Sequence, residues 1–124
     1  MALVLVADDD ADIRDLVIFK LEGLGLETIA VEDGETALAA IREQRPAIAI
    51  LDIAMPGLSG IDVCRMIRAD PAIADTLVLL LTARVQEQDV ERGFAVGADD
   101  YVTKPFSPRE LVSRVQTLLS RTRA

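Results

Sequence analysis

The chain has 124 residues, 51% of them hydrophobic and 27% charged, which suits one domain with its own core and is too short for two. Thirteen Lys and Arg against 21 Asp and Glu leave a net charge of −8, which argues against a general nucleic-acid surface. With no histidine there is no Ser-His-Asp triad, His-bound metal or phosphohistidine on this chain, and the single Cys64 makes neither an internal disulfide nor a metal cluster. No apolar run approaches the ~18 residues of a membrane span and no basic-then-apolar leader is present, so the expected setting is cytoplasmic and away from membranes.

Aliphatic runs and helical stripes alternate five times. Leu3 to Ala7 reads as a strand, followed by a stripe through Ile13, Leu16, Val17, Leu21 and Leu24 that Gly23 and Gly25 close. Thr28 to Val31 is the second run, with Ala37, Leu38 and Ile41 spaced for a helix behind it. Pro46 precedes the third run, Ile48 to Leu51, and Ile61, Cys64 and Ile67 follow. Leu77 to Leu81 is the fourth run, trailed by a weaker stripe through Val90 and Phe94. A short fifth run, Tyr101-Val102, leads to Ser107-Pro108, a helix N-cap with proline at the first helical position, and to Leu111, Val112, Val115, Leu118 and Leu119. The nearly continuous aliphatic runs predict parallel strands buried on both faces, and five β-α units predict an open α/β sheet covered by helices on both sides. Five units cannot close a barrel of eight. Charge is uneven: from Lys104 onward there are five basic residues and one acidic.

The polar residues fall in a pattern. Asp8, Asp9 and Asp10 follow the first strand, Asp52 ends the third, Thr82 ends the fourth and Lys104 lies just past the fifth. Ligands of open α/β sheets bind at the carboxyl ends of strands, so these residues collect at one edge. Carboxylates crowded on a partly buried rim repel one another and need a cation or a shared proton. Oxygen ligands with room for water suit Mg2+. Lys104 can neutralise a phosphate oxygen, Thr82 can hydrogen-bond another, and Asp52 can act as a carboxylate nucleophile forming an acyl phosphate. Plainer roles exist beside these. Asp10 fits a helix cap, Asp12, Glu32, Asp33, Glu35 and the 87–91 stretch fit solvated faces, and Cys64 fits a packed small hydrophobe. Gly23-Leu-Gly25 is no dinucleotide fingerprint, Gly57-Leu-Ser-Gly60 has the wrong spacing for a nucleophile elbow, and no Walker-type loop is present.

Four motifs, Val6-Ala-Asp-Asp-Asp10, Leu51-Asp-Ile-Ala-Met-Pro-Gly-Leu-Ser-Gly60, Leu81-Thr-Ala83 and Asp99-Asp-Tyr-Val-Thr-Lys-Pro-Phe106, occur in order. In them the chain resembles the receiver domain of two-component response regulators, over essentially its whole length. The resemblance implies a flavodoxin-like (βα)5 doubly wound parallel sheet of strand order 2-1-3-4-5 and a single domain over 1–124, with 120–124 a natural terminus or the start of a linker. It implies a signalling switch rather than an enzyme proper. Asp52 would accept a phosphoryl group from the phosphohistidine of a sensor histidine kinase or phosphotransfer protein. Asp9 and Asp52 would bind Mg2+ (or Mn2+) directly, Asp8 largely through water, and Ala54 through its backbone carbonyl. Thr82 and Lys104 would contact the phosphoryl oxygens, Tyr101 would change rotamer on activation, and the Lys104-Pro105 bond would be cis. The kinase would dock on the first helix near Ile13, Arg14 and Val17.

Gly97-Ala-Asp-Asp-Tyr101 and Glu110-Leu-Val-Ser-Arg114 resemble the winged-helix transcription-factor branch most. That likeness implies a phosphorylation-linked homodimer through the fourth helical segment, fifth strand and last helix, with Asp100, Glu110 and Arg114 at the interface. The usual basic partner of Glu110 falls at Val90 here, and Arg92 is the substitute at hand. The chain alone should not bind DNA. Two departures bear on the acyl-phosphate lifetime: Ala54 cannot orient an attacking water, and Arg84 is long and cationic. Three other readings fit less well. A pseudo-receiver would not need Asp9, Asp52, Thr82 and Lys104 together. A haloacid-dehalogenase-like phosphatase wants an aspartate where Ala54 stands. A flavin-binding domain wants hydroxyls where this chain has three aspartates.

Overall fold

A computed structural model describes residues 2–83, 91, 92 and 94–122. Among the described residues the elements run in order β1 (Leu3–Ala7), α1 (Ala11–Glu22), β2 (Glu27–Val31), α2 (Gly34–Gln44), β3 (Ile48–Asp52), α3 (Gly60–Ala69), β4 (Leu77–Ala83), β5 (Asp100–Lys104) and α4 (Pro108–Thr122). The strands form one parallel sheet of order β2-β1-β3-β4-β5, the doubly wound arrangement expected.

Alternation along the strands divides the core in two. Leu5, Ala7, Ala49, Leu51, Val78 and Leu80 face α2 and α3, where Leu38, Ile41, Ile61, Cys64 and Ile67 meet them. Val4, Val6, Ile48, Ile50, Leu79 and Leu81 face α1 and α4, against Val17, Leu21, Leu111, Val115 and Leu118. All five positions of β3 are buried, as its unbroken aliphatic run predicted.

Short polar side chains start the helices. Asp10 Oδ1 accepts from the amides of Asp12 (2.9 Å) and Ile13 (3.3 Å), so its capping role is realised. Asp33 caps α2 through Thr36 N, Ser59 and Asp62 form a reciprocal capping box on α3, and Ser107 Oγ accepts from Glu110 N.

The structure corrects several details. The stripe on α1 is narrower than its spacing suggested: Val17 and Leu21 are fully buried, while Leu16 is 42% and Leu24 40% exposed. Val17 faces the sheet and therefore cannot belong to a docking surface. Of the two glycines after α1, Gly25 (φ 82°) takes the left-handed turn and Gly23 stays right-handed. β5 is longer than the Tyr101-Val102 pair because its backbone pairs with β4 from Asp100 to Lys104, although Val102 alone is buried. Phe94 is helical but 47% exposed, outside the core. Ser120, Arg121 and Thr122 belong to α4. Val90 and Arg84 lie outside the described residues.

Candidate functional site

Parallel register brings the polar strand ends together. Ala7 pairs with Leu51, Asp52 with Leu81, and Ala83 with Lys104, so Asp8, Asp52, Thr82 and Lys104 share the carboxyl edge. Gly60 lets α3 begin against this edge, because a Cβ there would collide with the backbone of Asp52. The Lys104-Pro105 bond is cis, as expected.

Lys104 sits at the centre of a charged cluster. Its Nζ donates to Asp8 Oδ2 at 2.9 Å and to Asp52 Oδ2 at 3.1 Å. Asp8 is fully buried, Asp52 is 5% exposed, and Asp9 stands at the surface. Carboxylate oxygens of all three aspartates lie within 4.8 Å of one another. Both oxygens of Asp8 are engaged, one by Lys104 and one by the amide of Asp10. Asp52 Oδ1 accepts from Ala54 N at 3.2 Å, which places the Ala54 backbone beside the cluster. Arg14 reaches back from α1 to the carbonyl of Asp8 at 2.9 Å and fixes the turn that carries the acids.

One ammonium does not balance three carboxylates. Burial first, and then the charge of Asp8, push the Asp52 carboxyl up to about 6, against the opposing pull of Lys104 and the Ala54 amide. Lys104 suffers desolvation too, but its hydrogen bond to Asp8 and the charge of Asp52 outweigh this and raise its pKa. The cluster therefore retains negative charge and a motive to bind a cation. An all-oxygen carboxylate set fits a hard divalent ion such as Mg2+ or Mn2+.

Thr82 is 1% exposed, and its Oγ1 donates to its neighbour's carbonyl, Ala83 O, at 3.4 Å. Among the described residues, no hydrogen bond joins it to the acid–lysine cluster. Tyr101 pairs with Leu80 across the sheet, so it lies on the same face as Thr82, two residues along. It is half-buried, with its ring edge-on to Phe94 at 5.5 Å between centroids. Asp100, Glu110 and Arg114 meet within one chain: Arg114 Nη1 lies 3.2 Å from Asp100 Oδ2, and Nη2 lies 4.0 Å from Glu110 Oε2. Arg92 helps, after the Ser59 amide, to hold Asp62 below the usual carboxylate range, which puts it within electrostatic reach of α3.

Glu35 is a residue that sequence reasoning missed. Its Oε1 accepts from Leu58 N at 3.3 Å, tying α2 to the loop that follows Asp52. Gly57 in that loop has φ 72°, and a Cβ there would strike the Glu35 carboxylate. The signal available in advance was Gly57 itself, one residue before the amide that Glu35 binds.

Comparison with known proteins agrees with this geometry. The response regulator receiver domain family matches residues 4–116. The chain belongs to that family. It is 46% identical over 118 residues to the DNA-binding response regulator MtrA of Mycobacterium tuberculosis, covering 95% of this chain and 50% of MtrA. It is 42% identical over 119 residues to the phosphate regulon transcriptional regulatory protein PhoB of Pseudomonas aeruginosa, covering 96% of this chain and 52% of PhoB. The receiver domain thus spans about half the length of the curated relatives it matches, and those relatives agree with the likeness to the transcription-factor branch. Among solved structures, the chemotaxis response regulator CheY4 of Vibrio cholerae superposes with a TM-score of 0.89 at 33% identity, over 95% of this chain and 98% of that one. This receiver domain is accordingly a signalling domain of two-component systems. No helix among its described residues is long and apolar enough to cross a membrane.

Proposed function

We propose that the domain is a phosphorylation-activated switch in which Asp52 accepts a phosphoryl group from the phosphohistidine of a sensor histidine kinase or phosphotransfer protein. The observation that carries this reading is the bridge from Lys104 Nζ to Asp8 and Asp52, with Asp9 completing the carboxylate set. Asp9 and Asp52, with the Ala54 carbonyl, would hold the metal directly, while Asp8, both oxygens engaged, would act through water. Bound there, a divalent ion would supply positive charge to offset that of the phosphoryl oxygens.

With its pKa at about 6, Asp52 is mostly ionised at pH 7 and available as a nucleophile. A bond forms from its carboxylate oxygen to phosphorus, the P–N bond of the donor breaks, and the electron pair leaves on the imidazole nitrogen. Lys104 moves from the carboxylate to a phosphoryl oxygen. Thr82 exchanges a long neutral hydrogen bond for a charge-assisted one by turning toward the new group. The space it leaves lies on the face that Tyr101 borders, so the added charge becomes a repacking of Tyr101 and of the surface it shares with Phe94, Asp100 and α4. That surface controls dimerisation or an effector, and a symmetric pair would trade the exposed Asp100–Arg114 contact within a chain for one between chains. Ala54 and Arg84 set the lifetime of the acyl phosphate, so Ala54→Asn should change the rate of dephosphorylation; an unchanged rate would count against this.

Intact mass after incubation with a small acyl-phosphate donor and Mg2+ tests the reading. One added phosphoryl group, absent in Asp52→Asn and in the metal-free sample, is expected. No addition to a folded domain would make it a receiver in fold alone.

A further inference from the structure

At the amino ends of β4 and β5, opposite the acidic site, the last turn of α3 supplies Arg68, which fans across the two segments that lead into these strands. Nε donates to Gly97 O at 2.9 Å, and Nη1 donates to Ala74 O at 3.0 Å and to Thr76 O at 2.6 Å. Nη2 pairs with Asp99 Oδ2 at 2.8 Å. The same Oδ2 accepts from Val78 N at 2.8 Å, and Asp99 N donates to Val78 O at 2.9 Å. Asp99 Oδ1 remains for Arg121 of α4, at 3.4 Å. Gly97 is part of the fitting: at φ 99° its missing side chain leaves room for Arg68, whose Cγ and Nε would lie 3.0 Å from a Cβ.

We propose that Arg68 is the positioning residue of the output surface. It touches neither the acid–lysine cluster nor Arg114, and acts through Asp99. By fixing Gly97 and Asp99, it fixes where β5 begins. The next two residues are Asp100, which holds Arg114, and Tyr101, which meets Phe94 edge-on. Leu111, Val115 and Leu118 seat α4 on the sheet, while Asp99 contacts its end through Arg121 and Asp100 its middle through Arg114, so the polar register between β5 and α4 passes through the residues that Arg68 holds. All three guanidinium nitrogens are used, a planar fan that a lysine cannot reproduce.

Arg68→Lys and, from the other side of the contact, Gly97→Ala test this. The first readout is amide hydrogen exchange, which needs no phosphorylation. Exchange at Val78 and Asp99 should quicken at least tenfold in both variants, while β1 and β3 keep wild-type rates. The second readout rests on the switch proposed above: emission of Tyr101 on phosphorylation, with uptake followed by mass. The variants should gain the phosphoryl group at the wild-type rate but lose at least half of the Tyr101 response. Unchanged exchange at Val78 and Asp99, or quickening spread evenly over the sheet, overturns the proposal. So does a full Tyr101 response in variants whose exchange is locally faster. Failure of wild-type protein to take up phosphate would instead overturn the switch, and the exchange data would still decide the role of Arg68.

Discussion

The two ends of the sheet carry ion clusters built on opposite ratios. At the carboxyl edge one cation, Lys104, serves Asp8, Asp9 and Asp52; at the amino edge two cations, Arg68 and Arg121, serve the single Asp99. The first cluster leaves a carboxyl pushed up to about 6, a place where a metal ion or a phosphoryl group changes the balance of forces. The second divides its bonds among backbone carbonyls, an amide and one carboxylate, an arrangement suited to holding still. A switch needs both. A local change of charge moves an output surface only when the rest of the frame does not yield.

Removing the central cation should have the largest effect. Lys104→Ala leaves Asp8 and Asp52 facing each other in near-complete burial and should cost about 3 kcal/mol in urea melts at pH 7 without metal. Mg2+ should recover part of that loss. Asp52→Asn should act in the opposite direction. The folded pKa of Asp52, about 6, lies above its ordinary 3.8, so this carboxyl favours the fold below pH 3.8 and loses that contribution as pH rises through 6. The asparagine variant should therefore be more stable than wild type by about 2–3 kcal/mol at pH 7 without metal, and by almost nothing at pH 4.

At the other end, Arg68→Ala should cost about 2 kcal/mol, discounted for partial exposure of the pair. The loss should be the same with and without Mg2+; a dependence on the ion would erase the distinction between the two clusters. Arg114→Ala should shift stability by no more than about 0.5 kcal/mol, since its pair with Asp100 is exposed.

The carboxyl edge was legible in the sequence because strand ends are legible. Continuous aliphatic runs stop at Ala7, Leu51 and Leu81, and the polar residues that follow must share an edge once the strands are parallel. The ends of α1 and β5 were less so. Leu16 satisfies a helical period yet turns to solvent, because the face of α1 that packs on the core carries Val17 and Leu21, with Ile13 and Ile18 partly buried beside them, and Leu24 falls beyond the helix end. β5 borders the sheet and needs few apolar residues to pair, so its polar ends gave no sign of strand. The Arg68 fan was invisible, since three of its four acceptors are backbone carbonyls and no side-chain pattern announces those.

The chain has one tyrosine and no tryptophan, so its intrinsic emission reports on Tyr101 alone. The most direct measurement follows that emission while an acyl phosphate is added in Mg2+, with uptake verified by mass, for wild type and Thr82→Ala. A change in step with phosphorylation, lost in Thr82→Ala protein that still carries the phosphoryl group, is the predicted result. Emission that stays constant in fully phosphorylated wild type, or that changes equally without the Thr82 hydroxyl, would contradict the coupling of Asp52 to the output surface.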